Sequence, residues 1–99
     1  IQVNLDGVTT EGNNLVVNFT LINRSGREKK LRVRDRGIAR TQDGEEYPSF
    51  LQVPETLMAN DYVKGTLTIP DAASVNIRMA RIPIFISERN IDFEAMLYF

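Results

Sequence analysis

The chain has 99 residues, of which 42% are hydrophobic and 25% are charged, and its formal net charge is −1. This length and composition are typical of one soluble globular domain, and no apolar run is long enough for a membrane-spanning helix. The sequence has no cysteine and no histidine, which excludes disulfides, thiolate zinc sites, a thiol nucleophile and the commonest general base.

Alternation of apolar and polar residues predicts β-strands along the whole chain. Leu15, Val17, Phe19 and Leu21 show it most clearly, and turn residues such as Asp43-Gly44 separate one strand from the next. The predicted strands are residues 1–9, 15–22, 29–35, 38–41, 46–51, 62–69, 75–86 and 91–99. Seven or eight short strands predict an all-β antiparallel sandwich, with a barrel as the less favoured form, and residues 1–99 make one domain.

Three places along the chain are predicted to be irregular. Gly37 indicates a bulge or a bend, and Pro83, which has no N–H group, is expected at an edge or a bulge. Residues 53–61 are predicted as a loop, in which Pro54–Ala59 could form one helical turn.

Three segments carry a resemblance to a known group of domains: Phe19–Ser25, Thr41–Pro48 and Lys64–Pro70. Their pattern resembles immunoglobulin-like β-sandwich domains of unknown function in bacterial lipoproteins and secreted proteins, similar to mycobacterial immunoprotective extracellular antigens. The resemblance spans roughly residues 14–82. It implies an immunoglobulin-like sandwich of seven to eight strands in a bacterial secreted or cell-envelope protein, in the periplasm or on the outer surface, and it supplies no catalytic residue.

Two further features bear on this resemblance. Such domains often carry a Pro-Gly turn where this chain has Ala59-Asn60, and Asn tolerates the left-handed conformation that the turn needs. The start at Ile1 rather than Met indicates a processed product or a piece of a longer protein, in which a preceding segment could carry a signal peptide or a lipid anchor.

Positive charge is concentrated in residues 24–40, here called the basic segment. It holds eight of the twelve basic residues and two acidic ones, a net +6 against −7 for the remainder. Lys30, Arg32 and Arg34 are predicted on one side of a strand, where they could bind an acidic protein surface or an anionic glycan. A pI near 5.4 and the lack of interleaved aromatic residues argue against nucleic acid. The alternative interpretation is a solvated face that protects an edge strand from aggregation.

The run Ile84-Phe85-Ile86 after Pro83 is the second candidate contact surface. Three consecutive large apolar residues cannot all face one core, so Phe85 or a neighbour is expected at the surface, where an apolar patch would mark a partner site. Burial between the sheet and a loop is the alternative.

No catalytic site, metal site or cofactor is predicted. The serines have no histidine to activate them, and Lys64 has no serine motif around it. The acidic group at residues 43–46 fits no calcium-loop spacing. Asn18 and Asn23 head glycosylation sequons, which have meaning only in a eukaryotic secretory pathway.

The sequence therefore predicts a non-catalytic extracytoplasmic binding or adhesion module, with Lys30, Arg32, Arg34 and Phe85 as the candidate binding residues. The alternative is a structural spacer or a self-associating envelope domain that uses its edge strands. The partner and the oligomeric state are left open by the sequence.

Overall fold

The computed structural model describes residues 2–32, 37–86 and 91–99, except for the side chains of residues 32, 82–86 and 91–96. The described residues form nine strands and no helix, which confirms the all-β class, and no helix among them has the length and apolarity needed to cross a membrane. The strands are β1 (Gln2–Glu11), β2 (Asn14–Ile22), β3 (Lys29–Arg32), β4 (Gly37–Thr41), β5 (Glu46–Gln52), β6 (Thr56–Leu57), β7 (Tyr62–Ile69), β8 (Ile77–Ile86) and β9 (Ile91–Tyr98).

All described strand pairs are antiparallel and connect into one sheet. The order is β1-β2-β7-β5-β4-β8-β3-β6, and β9 also pairs with β8. Strand β5 joins two parts of this sheet, because residues 46–49 pair with β4 and residues 50–52 pair with β7. The sheet turns at β5 and encloses the core between these two parts.

Among the side chains that the structure describes, strand β2 supplies the largest share of that core. Leu15, Val17, Phe19 and Leu21 are all buried, as their alternation predicts. Phe19 lies opposite Gly65 of β7, where an added Cβ would lie 2.5 Å from the phenyl ring. The remaining core residues are Leu31, Ala39, Leu57, Leu67, Ile69, Ala72, Ile77, Ala80 and Leu97.

Strand β1 contains a bulge that simple alternation does not predict. The register with β2 shifts between Leu5 and Gly7, which leaves Asp6 as the additional residue. Because of this insertion, Val8 returns to the same face as Leu5 although it is three residues further along. The predicted period of two therefore holds only as far as Leu5.

Strands β3 and β4 lie one after the other along the same edge of β8. Leu31 is opposite Ile86 and Ile38 is opposite Arg81, so the chain advances seven residues on one side (38 − 31) and five on the other (86 − 81). The bulge or bend predicted at Gly37 stays a prediction, because residues 33–36 lie outside the described residues. The rest of the predicted third strand, residues 33–35, lies outside the described residues.

Pro83 occupies a position on β8 that suits a residue without an N–H group. It lies opposite Glu94 of β9 on one side. On its other side it falls between the stretches that pair with β3 and β4, where the described residues form no pair. The last predicted turn, residues 87–90, lies outside the described residues.

The segment predicted as a loop or a helical turn contains strand β6 instead. Thr56 and Leu57 pair with β3, and Leu57 is fully buried. The helical-turn alternative is therefore wrong, and nine strands replace the seven or eight predicted, because a two-residue strand has no readable alternation. Asn60 has a φ of 54°, which confirms that it adopts the left-handed conformation expected of this turn.

Asn23 holds together the loop that follows β2. Its side chain is 2% exposed, and its amide donates to the carbonyl oxygens of Arg27 at 2.7 Å and Met58 at 3.1 Å. Its side-chain oxygen accepts from the backbone N–H of Ser25 at 3.0 Å and from the Ser25 hydroxyl at 2.7 Å. The second sequon asparagine is thus a buried structural residue.

Replacing Asn23 by Ala removes the side-chain hydrogen bonds to the carbonyl oxygens of Arg27 and Met58 and to the backbone N–H of Ser25. We expect Asn23→Ala to lower the free energy of unfolding by about 2 kcal/mol, the usual effect of leaving buried polar groups unsatisfied. Asn18→Ala is the matched control, because Asn18 is only partly buried and donates one long bond of 3.4 Å to Thr9. Urea denaturation of both variants measures the difference, and equal midpoints would contradict the assigned role.

Candidate functional site

The structure brings three of the four predicted binding residues into one region, where β3 meets β8. Arg32 and Phe85 are direct cross-strand partners, and Lys30 lies two residues away on β3. Directly opposed positions of an antiparallel pair are neighbours on one face of the sheet. The positions of Lys30 and Arg32 and the position of Phe85, which the sequence presents as parts of separate surfaces, therefore lie together in this region. Arg34 lies outside the described residues.

Lys30 is directed to solvent because its neighbour is held in the core. Leu31 is buried in the core cluster, so the alternation of β3 places Lys30 on the opposite side. The Lys30 side chain is 62% exposed, and its Nζ lies 2.8 Å from Glu28 Oε1 and 3.3 Å from Thr56 Oγ1. The Glu28 carboxylate offsets part of the local positive charge, as an exposed ion pair does.

Three other basic side chains of this segment are buried or held by other contacts and do not extend the row of Lys30 and Arg32. Lys29 is buried, with 6% of its surface exposed. Arg24 donates from Nε to Gln2 Oε1 at 2.9 Å, and Arg40 pairs with Glu46 at 3.0 Å. The candidate surface thus consists of the exposed Lys30 side chain and of the strand position of Arg32.

In the acidic group at residues 43–46, the carboxylates of Glu45 and Glu46 bind neighbouring side chains. Glu45 accepts a hydrogen bond from the Tyr47 hydroxyl at 3.1 Å, which raises the pKa of Tyr47, and Glu46 binds Arg40. Gly44 has a φ of 89°, in keeping with the predicted turn. Among the described residues, no three potential metal-ligating side chains come together.

A polar cluster that the sequence does not predict joins β1, β2 and β7. The Thr20 hydroxyl donates to Asp6 Oδ2 at 2.6 Å and accepts from Lys64 Nζ at 2.8 Å, while Lys64 lies 3.3 Å from the same carboxylate. We call these three residues the Asp6 cluster. Lys64 and Thr20 are 44 residues apart in sequence but opposite each other in the β2–β7 register. The β1 bulge, which inserts Asp6, brings the carboxylate into their reach.

The Asp6 cluster is arranged as a cross-link between strands. The Thr20 hydrogen bond lowers the pKa of Asp6 more than partial burial raises it, and Lys64 lowers it further. The Thr20 hydroxyl donates its proton to the Asp6 carboxylate, and its oxygen accepts a hydrogen bond from the Lys64 ammonium group. The hydroxyl is therefore held between an acceptor and a donor. This geometry fixes the three side chains and leaves the pair of opposite charges balanced.

Beside this cluster, a shallow groove forms where β5 leaves β7. Gln52 is the last β5 residue that pairs with β7, and Pro54 cannot continue the ladder because it has no N–H group. The groove has a volume of about 380 Å³ and is lined by Gln52, Val53, Pro54, Lys64, Gly65 and Thr66.

Comparison of the chain with protein-family models, with curated proteins and with solved structures found no match.

The Asp6 cluster predicts a specific acid dependence of stability. Because the pKa of Asp6 is lowered in the folded protein, its contribution is present above the unfolded pKa and is lost as pH falls, from about pH 4 downward. We expect Asp6→Asn to lose less stability than the wild type over this acid range. Asp43→Asn, in an exposed turn, is the control, and chemical denaturation at successive pH values is the measurement. Parallel curves for wild type and Asp6→Asn would contradict the prediction.

Proposed function

We propose that this chain is an immunoglobulin-like sandwich domain that serves as a non-catalytic extracytoplasmic binding or adhesion module. The observation that carries the proposal is the register of β3 and β8, in which Arg32 is opposite Phe85 beside the exposed Lys30. The passage of β5 from one part of the sheet to the other supports a sandwich arrangement.

A surface that combines cationic and apolar positions fits a partner of complementary composition. Positive charge attracts an acidic protein surface or an anionic glycan over a distance of about 10 Å at moderate salt. An adjacent apolar position then contributes apolar contact, and the strength of that contact does not fall as salt is added. Arginine and the aromatic residues, Phe included, are enriched in protein interfaces relative to the rest of the surface.

Charge reversal tests this surface. We expect Arg32→Glu, alone and combined with Arg34→Glu, to elute from a polyanion such as immobilised heparin at a lower salt concentration, in keeping with at least about tenfold weaker affinity at fixed salt. The free energy of unfolding should stay within about 0.5 kcal/mol of the wild type, as is usual for surface substitutions. Retention is measured as the salt concentration at elution, and stability by thermal melting.

Arg78→Glu is the matched control, because it makes the same charge change at an exposed position near the start of β8, away from Lys30. A loss of retention equal to that of Arg32→Glu would show a net-charge effect and overturn the assigned surface. Unchanged retention in the Arg32 variants would also overturn it.

A second candidate function, self-association, is favoured by the free edge of β1. This ten-residue strand pairs only with β2 among the described residues. Leu5 and Val8 are 36% and 38% exposed on the face that continues the core side of β2. A long edge strand with exposed apolar residues is a template for pairing with a second copy.

Sedimentation at increasing protein concentration tests self-association. We expect the wild type to form dimers and Val8→Lys to remain monomeric, because a buried lysine charge in the new contact is costly. Met58→Lys, at a 54% exposed apolar position outside the strands, should dimerise like the wild type. A wild type that stays monomeric at all concentrations would contradict this candidate.

A further inference from the structure

The outward face of the β1-β2-β7-β5 part is a regular array of polar side chains. It is the side opposite to Phe19 and Leu21, and the strand registers align it in four rows. The rows are Gln2-Ile22-Tyr62, Asn4-Thr20-Lys64, Gly7-Asn18-Thr66-Gln52 and Thr9-Val16-Thr68-Phe50. We call this array the outer face.

Two aromatic residues stand at opposite ends of the outer face. Tyr62 is 60% exposed in the first row and Phe50 is 49% exposed in the last. Six residues of β7 separate the two rows, which corresponds to about 20 Å along the strand. This spacing suits an extended chain with several repeating units better than a single small molecule.

Three positions between the aromatic residues present uncharged hydrogen-bonding groups. The side chains of Gln52, Thr66 and Thr68 make no hydrogen bond with any described residue, and all three are at least partly exposed. Amides and hydroxyls both donate and accept, which matches a ligand whose own groups are hydroxyls. Gln52 and Thr66 also line the groove beside Pro54, so the face includes a concave position.

The outer face has no net charge between its aromatic ends. Among the described residues of these rows and the β1 bulge, the only charged side chains are Asp6 and Lys64, which pair with each other at 3.3 Å. A polyanion would find no uncompensated cation there, and nucleic acid would find no phosphate-binding row. The charge between the aromatic ends therefore favours a neutral ligand, while Arg24 of the basic segment reaches the first row through its hydrogen bond to Gln2.

We propose that the outer face binds a neutral oligosaccharide, with sugar rings stacked on Tyr62 and Phe50 and sugar hydroxyls bonded to Gln52, Thr66 and Thr68. Sugar rings have apolar C–H faces that pack against aromatic rings, while their hydroxyls need hydrogen-bond donors and acceptors on the same surface. Thr20 and Lys64 of the second row are held by the Asp6 cluster, and Lys64 Nζ also lies over one side of the Tyr62 ring, 6.0 Å from its centroid. The proposal does not depend on binding through Arg32.

Native electrophoresis in gels that contain a soluble polysaccharide tests the proposal, because binding to the polymer slows the protein. The probes are three neutral polymers, hydroxyethyl-cellulose, mannan and laminarin, with alginate as the acidic comparison. We expect at least one neutral polymer to retard the wild type, and the retardation to persist in high salt because no ion pair contributes. Tyr62→Ala should weaken this binding about tenfold, and Tyr62→Phe should retain most of it.

Tyr98→Ala is the matched control, because Tyr98 is 70% exposed on β9 and is not part of the outer face. Phe50→Ala provides a second disruption if Tyr62→Ala fails to fold by thermal melting. Arg32→Glu should bind the neutral polymer like the wild type. Retardation by none of the neutral polymers, retardation by alginate alone, or equal losses in the Tyr62 and Tyr98 variants would each overturn the proposal.

Discussion

The contact between Phe19 and Gly65 is the constraint on which the first part of the sheet depends. The ring of Phe19 is fully buried directly opposite Gly65, in space that any larger residue would occupy. This contact specifies one register between β2 and β7, since a one-residue slip would move every side chain to the other face. The same register places Lys64 opposite Thr20 on the outside. The core therefore determines the arrangement of the exposed surface.

Strand β5 relates this part of the sheet to the other. The pairs Gly37–Ser49 and Lys30–Thr56 are centred on the same residue, Asp43, so β3-β4 and β5-β6 follow a single hairpin register. Between these stretches, residues 50–52 pair with β7 instead. One segment thus takes part in both halves, and the outer face and the β3–β8 junction belong to different halves.

The sequence predicts what local alternation determines. The bounds of β7 agree fully with the predicted strand, and those of β2 agree within one residue, because both have long alternating apolar sets next to clear turn residues. The bulge at Asp6, the bonds of Asn23 and the pairing of Arg32 with Phe85 depend on which strands meet, and no short-range pattern encodes that. The all-β class could be predicted from local alternation. The Asp6 cluster could not, because it depends on the register in which β1, β2 and β7 pair.

The two proposed surfaces differ in how much order they have before a ligand arrives. Thr20 is 6% exposed and is fixed by bonds to Asp6 and Lys64, so the centre of the outer face is organised in advance. A preorganised face loses little side-chain entropy on binding, which suits a neutral ligand that supplies only short-range contacts. Lys30, by contrast, has a long and mostly exposed side chain and gains instead from long-range attraction. It follows that rigidity should govern affinity at the outer face, while ionic strength should govern it at the β3–β8 junction.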